Sequence, residues 1–183
     1  LNQPSDFPYP SGPFVMNNIL FNHDALVGAW VNFRLRSGEI TVPFRAIGIL
    51  REDDEAANDQ PFEDRLVAGV YFFNHHPALR GVDNITNEPF TWSKIMCAVA
   101  VDDPKAITEK SLRAILAYPF VDLKVDLITA EISLSNNNAI EQAKRLGFRQ
   151  LGVLPSIRAG GEVGLFGMRR DWCPYWTEEK AAA

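Results

Sequence analysis

The sequence is poor in cysteine, in histidine and in positive charge, and it has no long apolar run. Its two cysteines, Cys97 and Cys173, stand far apart. That excludes a disulfide framework and a structural zinc site, which takes four ligands in close pairs, and it suggests a reducing, cytoplasmic setting. The three histidines, His23, His75 and His76, come without carboxylates or cysteines at ligand spacing, so no metal is expected. A net charge of -5 has the wrong sign for a general nucleic-acid binder, which needs a positive field to replace the counterions around phosphates. No segment approaches the ~20 apolar residues that cross a bilayer, and Leu1 to Ser11 lacks the basic-then-apolar order of a secretory signal. The absent initiator Met and the closing Ala181-Ala182-Ala183 read as products of processing or cloning.

What is present suits a globular domain: 183 residues, 46% hydrophobic and 22% charged, enough to enclose a core. The expected division is an extended proline-rich arm over residues 1–13, a single domain over 14–176 and a tail over 177–183. Asp24 is of N-cap type and opens an apolar helix through Trp30 and Val31 that ends near Ser37-Gly38. Ile40 to Leu50 reads as a strand, Arg51 to Arg65 as an acidic solvated connection, and Leu66 to Phe73 as a second strand. Asn74-His75-His76-Pro77 then begins a long loop reaching to Thr91.

Lys94 to Val101 is almost wholly apolar, as in a central strand covered on both faces. After Asp102-Asp103-Pro104 the period changes to that of a helix, with Leu112, Ile115, Leu116 and Phe120 on one side, Asp103 as cap and Pro104 at the first position. Leu127 to Leu134 alternates as a strand. Asn136 opens a short helix stopped by Gly147, and Phe148 to Val153 and Val163 to Arg169 finish as strands around a Gly160-Gly161 loop. The order strand, helix, strand, helix, strand between Lys94 and Val153 implies two crossovers and neighbouring parallel strands within a mixed sheet. Helix N-termini then lie beside strand ends, where free N–H groups and the helix dipole favour an anionic cofactor.

Here the residues resemble a family. Asn136-Asn137-Asn138-Ala139-Ile140, then Lys144-Arg145-Leu146-Gly147-Phe148 and Leu151-Gly152-Val153-Leu154, resemble the GNAT acyltransferase signature N-x-x-A/S-I, four residues, K-x-G-F, without a gap. Ser111 to Phe120 is similar to the cofactor-side helix of the ribosomal-protein acetyltransferase branch. Trp30-Val31, Ala46-Ile47-Gly48, Ala68-Gly69-Val70, Tyr118-Pro119-Phe120 and Gly167 to Cys173 are similar to pieces of GNAT-like proteins of tailed bacteriophages. The resemblance implies an α/β (α+β) fold, with a mixed central sheet of about six to seven strands, helices on both faces and a V-shaped splay between Lys94–Val101 and Leu127–Leu134. It implies acetyl-CoA (acyl-CoA) as co-substrate and a small-molecule or protein amine as acceptor. Pantetheine would pair with the backbone of Cys97, Ala98, Val99, Ala100 and Val101. The pyrophosphate would sit near Lys105, Ala106, Ile107 and Thr108, and Asn136 would help hold the cofactor arm.

The pattern also departs from the family. The pyrophosphate loop Q/R-x-x-G-x-G/A falls on Val101-Asp102-Asp103-Pro104-Lys105-Ala106, of which Ala106 alone fits. Pro104 has no N–H, and two like charges ~6 Å apart repel by roughly 3 kcal/mol at an effective dielectric of 20, which sets Asp102 and Asp103 against a diphosphate. Lys105, Lys110 and Arg113 are the cations near enough in sequence to offset this. The general-acid tyrosine is replaced by Ala143, and the alternative hydroxyl by Ala139.

Candidate general bases are Glu131, mid-strand, where burial would tune it for proton transfer, and the pair His75-His76 at a strand end. Each has a plainer reading, as a salt-bridged structural carboxylate and as polar surface. Asn136 equally reads as a helix cap, and Cys97 as a small core residue. The tail Trp172-Cys173-Pro174-Tyr175-Trp176 reads as packed back on the domain or as a stacking platform. Three functions are compatible with these residues: an N-acyltransferase in which the amine attacks the thioester directly, a catalytically silent GNAT-like binding or structural module of a phage, and a self-association module forming a homodimer.

Overall fold

Asn17 and Asn18 turn the chain back on itself before the first helix, both with positive φ, 51° and 58°. Paired left-handed residues are what a two-residue hairpin turn demands, and Asn tolerates them. The turn joins β1 (Phe14–Met16) to β2 (Ile19–Phe21), and this hairpin is absent from the sequence reading. The computed structural model describes residues 12–37, 41–51, 61–82, 89–155 and 161–176. Of the expected arm over residues 1–13, residues 1–11 lie outside the described residues, as do most of the acidic connection, the 177–183 tail, Gly38 and Gly160.

The remaining elements are α1 (Asp24–Leu35), β3 (Phe44–Leu50), a single helical turn α2 (Phe62–Arg65), β4 (Leu66–Val82) and β5 (Pro89–Val101). A 3₁₀ turn (Pro104–Ala106) precedes α3 (Glu109–Ala117), which passes into a π turn (Tyr118–Asp122). Then come β6 (Leu127–Ser133), α4 (Asn137–Leu146), β7 (Arg149–Pro155), β8 (Glu162–Arg169) and a closing 3₁₀ turn (Arg170–Trp172). The strands form one mixed eight-stranded sheet in the order β1-β2-β3-β4-β5-β6-β8-β7. No helix among the described residues is long and apolar enough to cross a membrane.

Several boundaries differ from the sequence reading. His23, not Asp24, is the N-cap of α1; the Asp24 carboxylate accepts from the Ala46 N–H at 2.7 Å and pairs with Arg45 at 3.5 Å. β3 begins at Phe44 rather than Ile40. β4 runs through Asn74-His75-His76-Pro77, where a loop was expected, and β5 starts at Pro89 instead of Lys94. The helix expected from Pro104 begins only at Glu109. β7 is not a neighbour of β6: β8 inserts between them, antiparallel to both, so only the first crossover makes a neighbouring parallel pair.

The described chain divides into two compact units, residues 1–74 with 98–115, and 75–97 with 116–183. In the first, α1 lies on β3 and β4, and the cross-strand partners Gly48 and Gly69 explain how closely. A Cβ on Gly69 would fall 2.8 Å from a Val31 methyl, and one on Gly48 would fall 3.1 Å from a Val27 methyl. Small residues there let Val27, Trp30 and Val31 bury against Leu20, Ala46, Leu50, Leu66 and Tyr71. The quoted pairs Ile47-Gly48 and Gly69-Val70 are thus packing features.

In the second unit, β5 and β6 pair in parallel from Lys94–Leu127 to Met96–Thr129, and β6 pairs with β8 along its whole length. Phe120, Ile128, Phe166 and Met168 are fully buried. The aromatic tail folds back here: the Trp176 ring packs on Phe120 at 5.8 Å, Cys173 is buried, and the Arg149 guanidinium stands 4.3 Å over Trp172. The tail is therefore a lid on this core.

Candidate active site

β5 has ladder partners in β6 from Lys94 to Met96 and, among the described residues, none from Cys97 to Val101. Those five residues are the segment to which a cofactor arm was assigned. Cys97 and Ala100 are buried and Val99 is exposed, so cover on both faces does not extend along the whole strand as expected. Burial pushes the Cys97 thiol up to about 12, which leaves it protonated and removes it as a nucleophile.

The turn that follows is closed on itself. The N–H groups of Asp102 and Asp103 both donate to the Val67 carbonyl, at 2.8 and 3.2 Å. Pro104 has none to give. The Lys105 N–H donates to Asp103 Oδ1 at 2.9 Å, that of Ala106 to the Asp103 carbonyl at 3.2 Å and that of Ile107 to the Pro104 carbonyl at 3.3 Å. Thr108 and Ser111 cap each other: the Thr108 N–H donates to Ser111 Oγ at 2.9 Å, and the Ser111 N–H to Thr108 Oγ1 at 3.1 Å. Every backbone N–H from Asp102 to Thr108 thus has an acceptor inside the chain.

The charges are arranged likewise. Arg34, on α1, holds the Asp102 carboxylate at 2.8 Å while its guanidinium lies 3.5 Å over the Trp30 ring. Arg113, a cation expected to offset the acidic pair, is bound to Glu109. Sequence reasoning missed Arg34, Val67 and Ser111. A Thr108-x-x-Ser111 spacing at a helix start was the one legible signal, since Arg34 and Asp102 are 68 residues apart.

In the other unit, Glu131 is exposed on β6, which corrects the expectation of burial, and His75 and His76 are exposed on β4. Among the described residues no hydrogen bond or ion pair joins Glu131 to either histidine. Desolvation, and then the neighbouring His76, hold the His75 pKa below its ordinary value, so its neutral form prevails near pH 7. Asn136 caps α4 through Oδ1, which accepts from the Ala139 N–H at 3.1 Å. Ala143 is buried, and neither it nor Ala139 offers a proton.

No family model matches the sequence, and no curated protein matches it. Solved structures do. A crystal structure of a candidate acetyltransferase matches at TM-score 0.54 over 91% of this chain and 93% of its own, with 13% identity. The fold is GNAT-like. Spermidine N-acetyltransferase SpeG from Vibrio cholerae is similar at 13% identity and TM-score 0.46 in one variant, over 74% of this chain and 69% of that one. A further crystal structure, also of a candidate acetyltransferase, gives 13% identity and a TM-score of 0.45, over 70% of this chain and 63% of that one. The likeness is one of architecture.

Within a GNAT-like fold, the residues present fit the two halves of acetyl-CoA differently. Over Cys97 to Val101, where the arm would pair, β5 has no ladder partner in β6 among the described residues. The loop from Val101 to Ala106 does not fit a diphosphate, because its N–H groups from Asp102 to Ala106 are engaged and no ion pair among the described residues neutralises Asp103.

Proposed function

We propose that this chain is an N-acyltransferase that passes an acyl group from a thioester to an amine by direct attack. One observation carries the reading: in a GNAT-like fold, β5 lacks ladder partners in β6 over Cys97 to Val101, where an extended thioester arm would pair with backbone. The amine nitrogen attacks the thioester carbonyl carbon, the new C–N bond forms as the C–S bond breaks, and the thiolate leaves and takes a proton. Backbone N–H groups near Ala98 to Ala100 stabilise the developing oxyanion. His75, held largely neutral near pH 7, is the first candidate to accept the proton lost by the amine, followed by His76 and Glu131. Asn136 keeps its Nδ2 amide as a donor toward the arm, since Oδ1 is spent on the helix.

Titration calorimetry with acetyl-CoA, and free-thiol release over a panel of small amines and amine-bearing peptides, test the proposal. Thiol release matched by acylated amine in the mass spectrum is expected. Neither heat nor thiol with any acceptor would overturn it.

The second reading, a catalytically silent GNAT-like binding module, is favoured by Ala143 and Ala139 at both positions where a proton donor would stand. The phage-like motifs support a phage-encoded protein acting in the host cytoplasm, alone or as a homodimer. Mass spectrometry of purified virions and light scattering test these two points.

A further inference from the structure

A diphosphate held at the turn after β5 would need unengaged N–H groups there. In this chain the seven residues Asp102 to Thr108 spend every such group internally, on the Val67 carbonyl, on the Asp103 side chain and carbonyl, on the Pro104 carbonyl and on Ser111 Oγ. Arg34, a cation that reaches this turn from α1, is committed to Asp102 and stacked on Trp30. Arg113 is committed to Glu109. A diphosphate would have to displace these acceptors and meet the Asp103 carboxylate. At the edge of β5 from Cys97 to Val101 no β6 ladder pairing would have to be displaced among the described residues.

We propose that the donor is recognised by its pantetheine arm alone, so that the nucleotide diphosphate of coenzyme A contributes nothing to binding. The donor class is then any acyl thioester of a pantetheine arm, free or carried on another group. This inference rests on the acyl-transfer reading for its chemistry, but its test does not depend on turnover. Arg34 and Ser111 act here as positioning residues that keep the turn closed.

The experiment compares coenzyme A with pantetheine by amide chemical-shift titration of the full chain, and acetyl-CoA with S-acetylpantetheine by thiol release. The expected result is equal dissociation constants within about threefold, shifts confined to the Cys97–Val101 segment with both compounds, and kcat/KM values within the same factor. Coenzyme A binding about thirtyfold tighter, with shifts spreading over Asp102 to Thr108, overturns the inference, as does failure of pantetheine to bind at all. Equal binding of both without thiol release overturns the acyl-transfer reading and leaves the recognition inference standing. As a second variant, Asp103→Gly with Pro104→Gly frees the Lys105 N–H and adds one. A preference for coenzyme A appearing in that protein supports the closed-turn explanation; an unchanged ratio overturns it.

Discussion

Ser93 and Asp126 hold each other reciprocally at the start of the parallel pair. The Ser93 N–H and Oγ both donate to Asp126 Oδ2, at 2.7 and 3.0 Å, and the Asp126 N–H returns to Ser93 Oγ and to its carbonyl, at 3.1 Å each. The ladder begins one residue later, at Lys94–Leu127, so this clamp pins the register of β5 against β6. A parallel pair has no hairpin turn to do so.

Ser93→Ala removes a hydroxyl on a residue only 7% exposed, with its bond to Asp126 Oδ2, and leaves the Asp126 N–H with a single acceptor. A loss of about 1–3 kcal/mol is expected in urea denaturation. A loss below about 0.5 kcal/mol would show that the register is set elsewhere.

Gly147 ends α4 at φ 99°, and a Cβ there would meet the Trp172 carbonyl oxygen at 2.7 Å and Pro174 Cδ at 2.9 Å. Gly147→Ala therefore combines left-handed strain with displacement of the aromatic tail, and a cost of about 2 kcal/mol or more is expected, seen as an earlier tryptophan-fluorescence transition. Gly152→Ala, with nothing within 4 Å of the new Cβ, is the control and should stay within about 0.5 kcal/mol. Equal effects of the two substitutions would contradict the packed-tail description.

Both cysteines are buried, and burial raises the Cys97 thiol to about 12 and that of Cys173 above its ordinary value. A disulfide reagent near pH 8 should titrate neither thiol in the folded protein and both in denaturant. Rapid modification of Cys97 in the native state would reveal an access route that the fold does not provide.

His75 gives a pH dependence whose sign is fixed. Its folded pKa lies below 6.5, so as pH falls through that value the unfolded chain takes up the proton more readily, and stability declines. The contribution is fully present above the unfolded pKa. His75→Gln should make the fall in Tm from about pH 7 to about pH 5 shallower, while at pH 8 the two proteins melt alike. If acyl transfer is the reaction, the same variant should flatten the acidic limb of kcat/KM, and an unchanged limb assigns proton acceptance to another group.

How much was legible in the residues depended on the distance over which each feature is decided. Asn136 binding the Ala139 N–H, Gly147 in the left-handed cap and the alternation through Leu127 to Ser133 are settled within a few residues, and all were readable. The Asn17-Asn18 hairpin was equally local, its signal being two adjacent residues that tolerate positive φ, but its strands of three residues each are too short to show an alternation. The acid-rich, proline-bearing turn was also plain, as was its poor match to a diphosphate loop.

By itself, then, the sequence determined the kinds of most elements, the caps Asn136 and Gly147 of α4, and the GNAT-like order of strand and helix. Tertiary structure alone decided that β8 enters between β6 and β7, that His75 and His76 lie within β4, and that Arg34 crosses 68 positions to neutralise Asp102. The reason is energetic: these choices follow from contacts between residues remote in the chain, where burial and hydrogen bonding are shared among partners that no local window contains.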